Sequence, residues 1–396
     1  MQKKTSVRRA LTPVLFALAL ICLFITLSIC RRLGVFDGRY AAVSAYADLL
    51  GKIEDIYIGE YDVSDVSAAA MHASVGALED IWSYYMTPAE YISYIDSINN
   101  RYAGIGVGVL LDDNIGGMKI TFVYRGSAAE TAGLKAGDVI IGIDGSDVTH
   151  MDLDEMTECL VRPIGDSAEL TVMRADGGVG TLTVVYSYIF VDPVSFEMLA
   201  DGIGYIALSN FDKGAAKSFI AALEELLGQG AEAFVFDVRG NGGGMLAEMV
   251  EILDYLLPEG EIFVAVDKSG RETVTLSGPD SIDLPFAVLI DRYSFSAAEY
   301  FAAMLREYDR AILVGEQTTG KNRMQTTVEI IGGGALHISS NQYLTKNRVS
   351  LYDEGGVIPD YTVTLSDDDF LLFVYGNLEK DEDPQLRQAI SLLTAG

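Results

Sequence analysis

The feature that most constrains the fold is a series of short apolar runs that alternate with helical segments from about residue 191 onward. The runs AEAFVFDVRG, PFAVLIDR and RAILVGE are near-continuously apolar, which is typical of strands buried on both faces. The segments AAKSFIAALEELLGQG, MLAEMVEILDYLL and SAAEYFAAMLREY precede or separate these runs and have the pattern of helices. This order predicts an α/β core in which helices cover both faces of a sheet.

Net charge excludes one class of partner. The chain has 396 residues, with 28 Lys and Arg against 57 Asp and Glu, and a formal net charge of −29. So acidic a chain repels phosphate backbones, and a nucleic-acid partner is therefore not expected. The length indicates two or three domains at about 150 residues each.

Cysteine and histidine are too few and too scattered for several kinds of site. Two of the three cysteines lie eight residues apart in one apolar stretch, which as a helix would place them ~12 Å apart and out of reach of each other. Neither a disulfide framework nor a Cys/His metal centre is expected, no cofactor is implied, and a histidine-based catalytic triad is not expected either. The residues concerned are Cys22, Cys30, Cys159, His72, His150 and His337.

The amino terminus predicts a membrane anchor. Residues 10–30 carry no charge, and about 20 apolar residues span a bilayer as a helix. Four basic residues precede this run and two follow it, which favours an amino terminus in the cytoplasm and the bulk of the chain outside. A cleaved signal peptide stays open as the alternative. Residues 27–30 also resemble a lipoprotein box, although Ile29 is bulky where a small residue is wanted.

Patterns further along divide the rest of the chain. Residues 33–100 have apolar side chains at three- and four-residue intervals and predict helices, one of them with Thr87 as N-cap and Pro88 at its first position. From about residue 101, alternating strands and a Gly turn predict a small β-rich module with two short helices. The expected boundaries are 1–9 for a cytoplasmic stub, 10–30 for the anchor, 33–100 for the helical region, 101–187 for the β module, 188–366 for the α/β core and 367–396 for an acidic, helical tail.

Three segments of the α/β core place a polar or reactive group at the end of an apolar strand. The glycine-rich loop 239–244 can turn backbone N–H groups outward as an oxyanion cradle, or it can be a tight turn only. Ser296 and Glu299 form a capping box, and the start of a helix is also a place where a nucleophile gains from the helix dipole. Lys321 follows the third strand; most loop lysines are solvated, but a buried lysine can act as general base where no histidine is available.

In these segments the sequence resembles the carboxy-terminal processing peptidases, or tail-specific proteases, which are serine peptidases with a Ser/Lys dyad. The matching segments are YSFSAAE around Ser296, GEQTTGK ending at Lys321, and DVRGNGGG over residues 237–244. The resemblance implies that Ser296 is the nucleophile, that Lys321 is its base, and that Gln325 orients the base. For the core it implies an α/β fold of the ClpP/crotonase-like type.

The same resemblance implies two binding elements. The N–H groups of Gly243 and Ala297 would form the oxyanion hole. The β module resembles the PDZ domain of this family, with SAAETAGLKAGDVIIGIDG as its most specific stretch and a carboxylate-binding loop made of Gly104, Ile105, Gly106 and Val107.

Taken together, the resemblance implies a membrane-tethered serine endopeptidase that recognises carboxy-terminal tails of extracytoplasmic proteins through its PDZ domain and cleaves with the dyad. Its partners would be protein or peptide carboxy termini, and a homo-oligomer is left open. The chain departs from the family pattern at Phe295, where a small residue is usual, and at Arg323, a second cation near the base. An inactive PDZ-bearing scaffold or adaptor therefore stays open, as does a hydrolase of non-peptide esters on the same core.

Overall fold

A computed structural model of the chain describes residues 2–32, 38–112, 114–374 and 376–395. The chain divides after Ala77 into two compact units. The first unit contains the helices α1 (Gln2–Arg32), α2 (Tyr40–Ile56) and α3 (Val63–Gly76). Asp62 fixes the start of α3, because its carboxylate accepts a hydrogen bond from the Ser64 N–H at 2.6 Å.

The predicted transmembrane anchor at residues 10–30 is wrong. Among the residues that the structure describes, no helix is long and apolar enough to cross a membrane. The single-pass membrane location, which rested on this anchor, is overturned with it.

The second unit opens with β1 (Tyr84–Met86) and α4 (Pro88–Ile98). The helix α4 begins where the sequence predicts, since the Thr87 hydroxyl accepts the Glu90 N–H at 3.3 Å and the Glu90 carboxylate accepts the Thr87 N–H at 2.7 Å. The strand β1 lies where the sequence predicts only helices.

The β module follows. An antiparallel sheet in the order β3-β4-β5-β7-β8, with β6 beside β5, packs around Met118, Ile140 and Leu170. The strands β2 and β9 pair separately and lie at the two ends of the module in sequence. Its elements are β2 (Arg101–Gly104), β3 (Val107–Leu111), β4 (Met118–Val123), α5 (Ala128–Ala132), β5 (Val139–Ile143), β6 (Ser146–Asp147), α6 (Leu153–Cys159), β7 (Ser167–Met173), β8 (Val179–Val185) and β9 (Ser187–Phe190).

The α/β core contains a six-stranded sheet in the order β10-β11-β12-β15-β16-β19, parallel from β11 onward. Its strands are β10 (Val194–Met198), β11 (Ile203–Leu208), β12 (Ala233–Asp237), β15 (Phe286–Ile290), β16 (Ala311–Gly315) and β19 (Tyr361–Thr362). Its helices are a 3-10 turn (Ala200–Gly202), α7 (Ala215–Gly228), α8 (Leu246–Leu256), α9 (Ala297–Glu307), α10 (Asp367–Val374) and α11 (Pro384–Thr394).

Both faces of this sheet are covered, as the apolar strands predict. Successive residues of a strand point to opposite faces, and in β12 Phe236 belongs to the apolar cluster beneath α7, α8 and α9. Its neighbour Val235 belongs to a second cluster, together with Leu386 and Ala389 of α11.

A second sheet lies beside the first and explains the unexpected β1. The strands β13 (Glu261–Asp267), β14 (Glu272–Leu276), β17 (Arg323–Glu329) and β18 (Ala335–Leu344) form it with β1, and every pair in it is antiparallel. In β1, Tyr84 pairs with His337 and Met86 pairs with Ala335, and the side chains of Tyr85 and Met86 are buried. Pairing with a strand about 250 residues away leaves no local pattern, so the sequence does not predict β1.

Candidate active site

Three loops meet at one edge of the parallel sheet because the strands that carry them are neighbours. The strands β12, β15 and β16 are adjacent and parallel, so their carboxyl ends lie at the same edge. The glycine-rich loop follows β12, Ser296 follows β15 and Lys321 follows β16. These loops open onto a cleft of about 410 Å³ that is lined by Ser296, Ala297, Lys321 and Gln325.

Ser296 occupies an unusual backbone conformation at the start of α9. Its φ of 59° and ψ of −120° lie outside the regions that a residue with a side chain normally adopts. Such a conformation costs of order 1–3 kcal/mol and persists only where the surrounding contacts hold it. One of these contacts is the Glu299 carboxylate, which accepts the Ser296 N–H at 2.9 Å. This hydrogen bond is the glutamate half of the capping box that the sequence predicts.

Lys321 is nearly buried, with 8% of its surface exposed. Burial lowers the pKa of its ammonium group to about 8, although the charges of Glu299 and Asp80 act in the opposite direction. Its own N–H donates to Glu299 at 2.9 Å, and its carbonyl accepts a hydrogen bond from the Tyr343 hydroxyl. Two hydrogen bonds of its backbone therefore fix the position of Lys321. The lowered pKa favours the neutral amine near pH 8 more than in an exposed lysine.

The Lys321 ammonium group lies against an aromatic ring. Its Nζ is 4.3 Å from the centroid of the Trp82 ring. Gln325, which the family resemblance assigns to the base, lines the same cleft, but its Nε2 donates to the Arg323 carbonyl at 3.0 Å and to the Ser339 hydroxyl at 3.2 Å. Among the hydrogen bonds of the described residues, none joins Gln325 or Ser296 to the Lys321 Nζ.

Gly243 lies directly against the turn that carries Ser296. A Cβ at position 243 would come within 2.8 Å of the Ser296 Cβ and 3.0 Å of the Ala297 nitrogen, and the φ of 93° also favours glycine. The structure thus brings Gly243 and Ala297 together beside Ser296. The Gly243 N–H itself donates to the Asn241 Oδ1 at 2.8 Å. The Asn241 side chain in turn donates to the Leu208 carbonyl at 2.7 Å and holds the loop.

Two titratable side chains in the cleft were not singled out by the sequence. Asp212 lines the cleft, and burial together with the charge of Glu248 raises its pKa to about 6. His337 lies in the cleft wall with its Nδ1 2.8 Å from the Thr327 hydroxyl, and burial beside Lys321 lowers its pKa to about 4. Apolar side chains make up much of the remaining wall: Ile98, Met245, Leu246, Met249, Phe263 and Met324.

The predicted carboxylate-binding loop joins β2 to β3. Gly104 ends β2 and Val107 begins β3. The carbonyl of Ile105 accepts the Ala129 N–H at 2.8 Å, and that of Gly106 accepts the Tyr124 N–H at 3.0 Å. Gly106 has a φ of 87°, and a Cβ there would lie 2.3 Å from the Ser127 Cβ. Glycine is therefore required at this position, which is typical of a backbone loop shaped to approach a ligand closely.

Within the part of the chain that the structure describes, no group of three His, Cys, Asp or Glu side chains could hold a metal ion. The cleft itself contains the hydroxyl of Ser296 at the start of α9 and the buried amine of Lys321.

Comparisons with known proteins agree with this geometry. The model of Peptidase family S41 matches residues 202–363, and the model of the PDZ domain matches residues 96–173. The carboxyl-terminal-processing protease of Synechocystis sp. is 29% identical over 333 residues, which cover 83% of this chain and 77% of that protein. The carboxy-terminal processing protease CtpA of Bacillus subtilis is 28% identical over 318 residues, which cover 78% of this chain and 68% of that protein.

Several solved structures are similar over most of the chain, and one of them is a processing protease. It is a photosystem II D1 C-terminal processing protease, with a TM-score of 0.51 and 22% identity, and the match covers 91% of this chain and 97% of that one. At this identity the similarity shows the fold alone.

Proposed function

We propose that this chain cleaves protein tails with Ser296 as nucleophile and Lys321 as general base. The chain belongs to peptidase family S41, carries a PDZ domain and is a serine-type peptidase. The observation that carries the proposal is the meeting of the two residues in one cleft, where the single carboxylate of Glu299 accepts a backbone N–H from each. Relatives named for carboxyl-terminal processing support the substrate class.

In the acylation step the Ser296 Oγ attacks the scissile carbonyl carbon while its proton passes to the neutral Lys321 amine. The tetrahedral intermediate then collapses, the peptide C–N bond breaks, and the Lys321 ammonium returns the proton to the leaving amine. Water attacks the acyl-enzyme by the same route and frees Ser296. A lysine with a pKa of about 8 supports this role. Roughly a quarter of such a residue is neutral at pH 7.5, against about one in a thousand for an ordinary lysine.

The oxyanion would be bound by backbone N–H groups at the start of α9. The Ala297 N–H lies at the positive end of that helix, where negative charge is stabilised. The Gly243 N–H is the second donor that we propose, and it would exchange the Asn241 side chain for the substrate oxygen.

The PDZ loop would select the substrate. Adjacent N–H groups of residues 104–107 can bind a terminal carboxylate, as backbone loops of this kind do. Binding of the free tail there would leave an upstream peptide bond for the cleft, whose apolar wall suits an unfolded chain.

The test uses the full chain and an unfolded protein with an apolar free carboxy terminus, and the products are mapped by mass spectrometry. We expect cleavage by the parent and by the surface controls Ser391→Ala and Lys268→Ala, and none by Ser296→Ala or Lys321→Ala. Continued cleavage by either dyad variant would refute the assignment. If the parent binds tail peptides and cleaves none, the scaffold alternative takes its place.

A further inference from the structure

The Trp82 ring covers the amine that we propose as the base. Trp82 is the only tryptophan of the chain, and the Lys321 Nζ lies 4.3 Å from the centroid of its ring. An ammonium group at this distance from an indole face is attracted by the ring quadrupole, and more strongly where water is excluded. Lys321 is 8% exposed, so water is largely excluded here.

The same ring also touches the turn that carries the nucleophile. The ring centroids of Trp82 and Phe295 are 5.7 Å apart and the rings are tilted by 35°. The Phe295 ring in turn lies against the glycine-rich loop, since a Cβ at Gly242 would come within 2.8 Å of it. The rings of Trp82 and Phe295 therefore connect Lys321, the turn that carries Ser296 and the glycine-rich loop. Phe295 is one of the two departures from the family pattern, and this contact gives it a role.

The other departure, Arg323, anchors the segment that carries Trp82. Its guanidinium lies 3.3 Å from the Asp80 carboxylate. That carboxylate also accepts the Trp82 N–H at 3.3 Å and the Ser83 hydroxyl at 2.6 Å. The Ser83 hydroxyl accepts the Ser339 N–H at 3.0 Å, which joins the segment to β18. The ring is thus held from two strands that flank the cleft.

We propose that Trp82 is a positioning residue for Lys321: its indole face holds the protonated amine, and loss of the proton frees the amine to turn toward Ser296. The inference rests on the proposed role of Lys321 as base. Its physical reason is that the ring attracts only the charged form, so the contact weakens when the lysine is neutral. The charged and titratable groups that face Lys321 are Glu299 from α9, Asp80 before β1, Arg323 from β17, and His337 and Tyr343 from β18.

The first test needs no turnover, because the single tryptophan reports on its own surroundings. Emission of the full chain is recorded from pH 6 to 9.5, a range in which Lys321 titrates and His337 does not. We expect a change in emission with a midpoint near pH 8 in the parent and in Ser296→Ala. The control Lys268→Met should keep this change, and Lys321→Met should lose it. Identical titrations of the parent and Lys321→Met would overturn the proposal, whether or not the enzyme cleaves.

The second test separates positioning from simple structural support. Trp82→Leu keeps apolar cover over the amine but removes the π face, so the charged form loses its partner. We expect the acid limb of kcat/KM against pH to move down by about 0.5–1 pH unit in Trp82→Leu, with KM for the tail substrate unchanged, and to stay in place in Trp82→Phe. A Trp82→Leu enzyme whose activity falls while its acid limb stays fixed would contradict the proposal.

Discussion

The carboxylate of Glu299 accepts the backbone N–H of Lys321 at 2.9 Å. The same oxygen accepts the Ser296 N–H at 2.9 Å, and the other oxygen accepts the Gly320 N–H and the Thr318 hydroxyl. Glu299 is fully buried, and burial raises the pKa of its carboxyl above the usual range while these donors act against the rise. Glu299, which the sequence assigns to a helix start, therefore links the turn that carries Ser296 to the loop that carries Lys321.

Removal of this carboxylate should loosen both loops at once. In Glu299→Ala the backbone N–H groups of Ser296, Gly320 and Lys321 lose a buried acceptor, at about 1–3 kcal/mol for each unsatisfied group. We expect kcat to fall by at least about 100-fold, since displacement of the dyad by ~1 Å is enough for such a loss. Steady-state kinetics and urea unfolding measure the two effects. Glu251→Gln, on the exposed side of α8, is the control and should change neither. Parent-like turnover in Glu299→Ala would contradict the assigned link.

Turnover should rise with pH toward a plateau above pH 8. The pKa of Lys321 is lowered to about 8, chiefly by burial, and in the proposed mechanism only the neutral amine can accept a proton from Ser296. Below that pH, kcat/KM should fall about tenfold for each pH unit, because the neutral fraction does. Lys321→Arg should be inactive at every pH, since a guanidinium stays protonated.

Asp212 provides the control for this profile. It lines the same cleft with a pKa raised to about 6, so Asp212→Asn should remove any inflection near pH 6 and leave the one near pH 8. A flat profile between pH 6 and 9 in the parent would exclude Lys321 as the base.

The apolar strands alone predict the α/β core, because a strand such as β12 is apolar on both faces and this pattern is local. The meeting of Ser296 and Lys321 depends on the order of strands in the sheet, which the local pattern does not give; the family resemblance supplied only the pairing of the two residues. Trp82 was not singled out, because β1 is a three-residue strand whose partner lies about 250 residues away. The sequence indicated no role for His337 for the same reason, because its strand partner Tyr84 lies about 250 residues away. The predicted anchor rested on a run of residues without charge. It is wrong, because no helix among the described residues is both long and apolar enough to cross a membrane.

The loop of residues 104–107 should lose affinity for tail peptides when Gly106 gains a side chain. In Gly106→Ala the new Cβ would lie 2.3 Å from the Ser127 Cβ at a φ of 87°, so the loop has to move. We expect the affinity for tail peptides with a free carboxylate to drop by at least tenfold, or about 1.4 kcal/mol. Fluorescence anisotropy with a labelled peptide measures the loss. Gly180→Ala is the matched control, because nothing lies within 4 Å of its new Cβ. Equal affinities of the two variants would remove residues 104–107 from the binding site.

The carboxy-terminal helix α11 should stabilise the glycine-rich loop 239–244 through Arg239. This guanidinium is almost fully buried and lies 2.5 Å from the Asp237 carboxylate, 2.8 Å from that of Asp383 and 2.8 Å from the side-chain Oε1 of Gln385. Arg239 is the first residue of the glycine-rich loop, and Asp383 also caps α11. Both contacts therefore link the tail of the chain to the cleft.

In Asp383→Ala the guanidinium keeps Asp237 but loses its second charge partner, and α11 loses its N-cap. We expect the free energy of unfolding to fall by about 2–4 kcal/mol, with little dependence on salt because the pair is buried. Urea unfolding at low and high salt measures this. Glu382→Ala, on the exposed neighbour, should stay within about 0.5 kcal/mol of the parent. If Asp383→Ala and Glu382→Ala have the same free energy of unfolding, α11 does not act through Arg239. The glycine-rich loop must then be held by Asn241 and Asp291 instead.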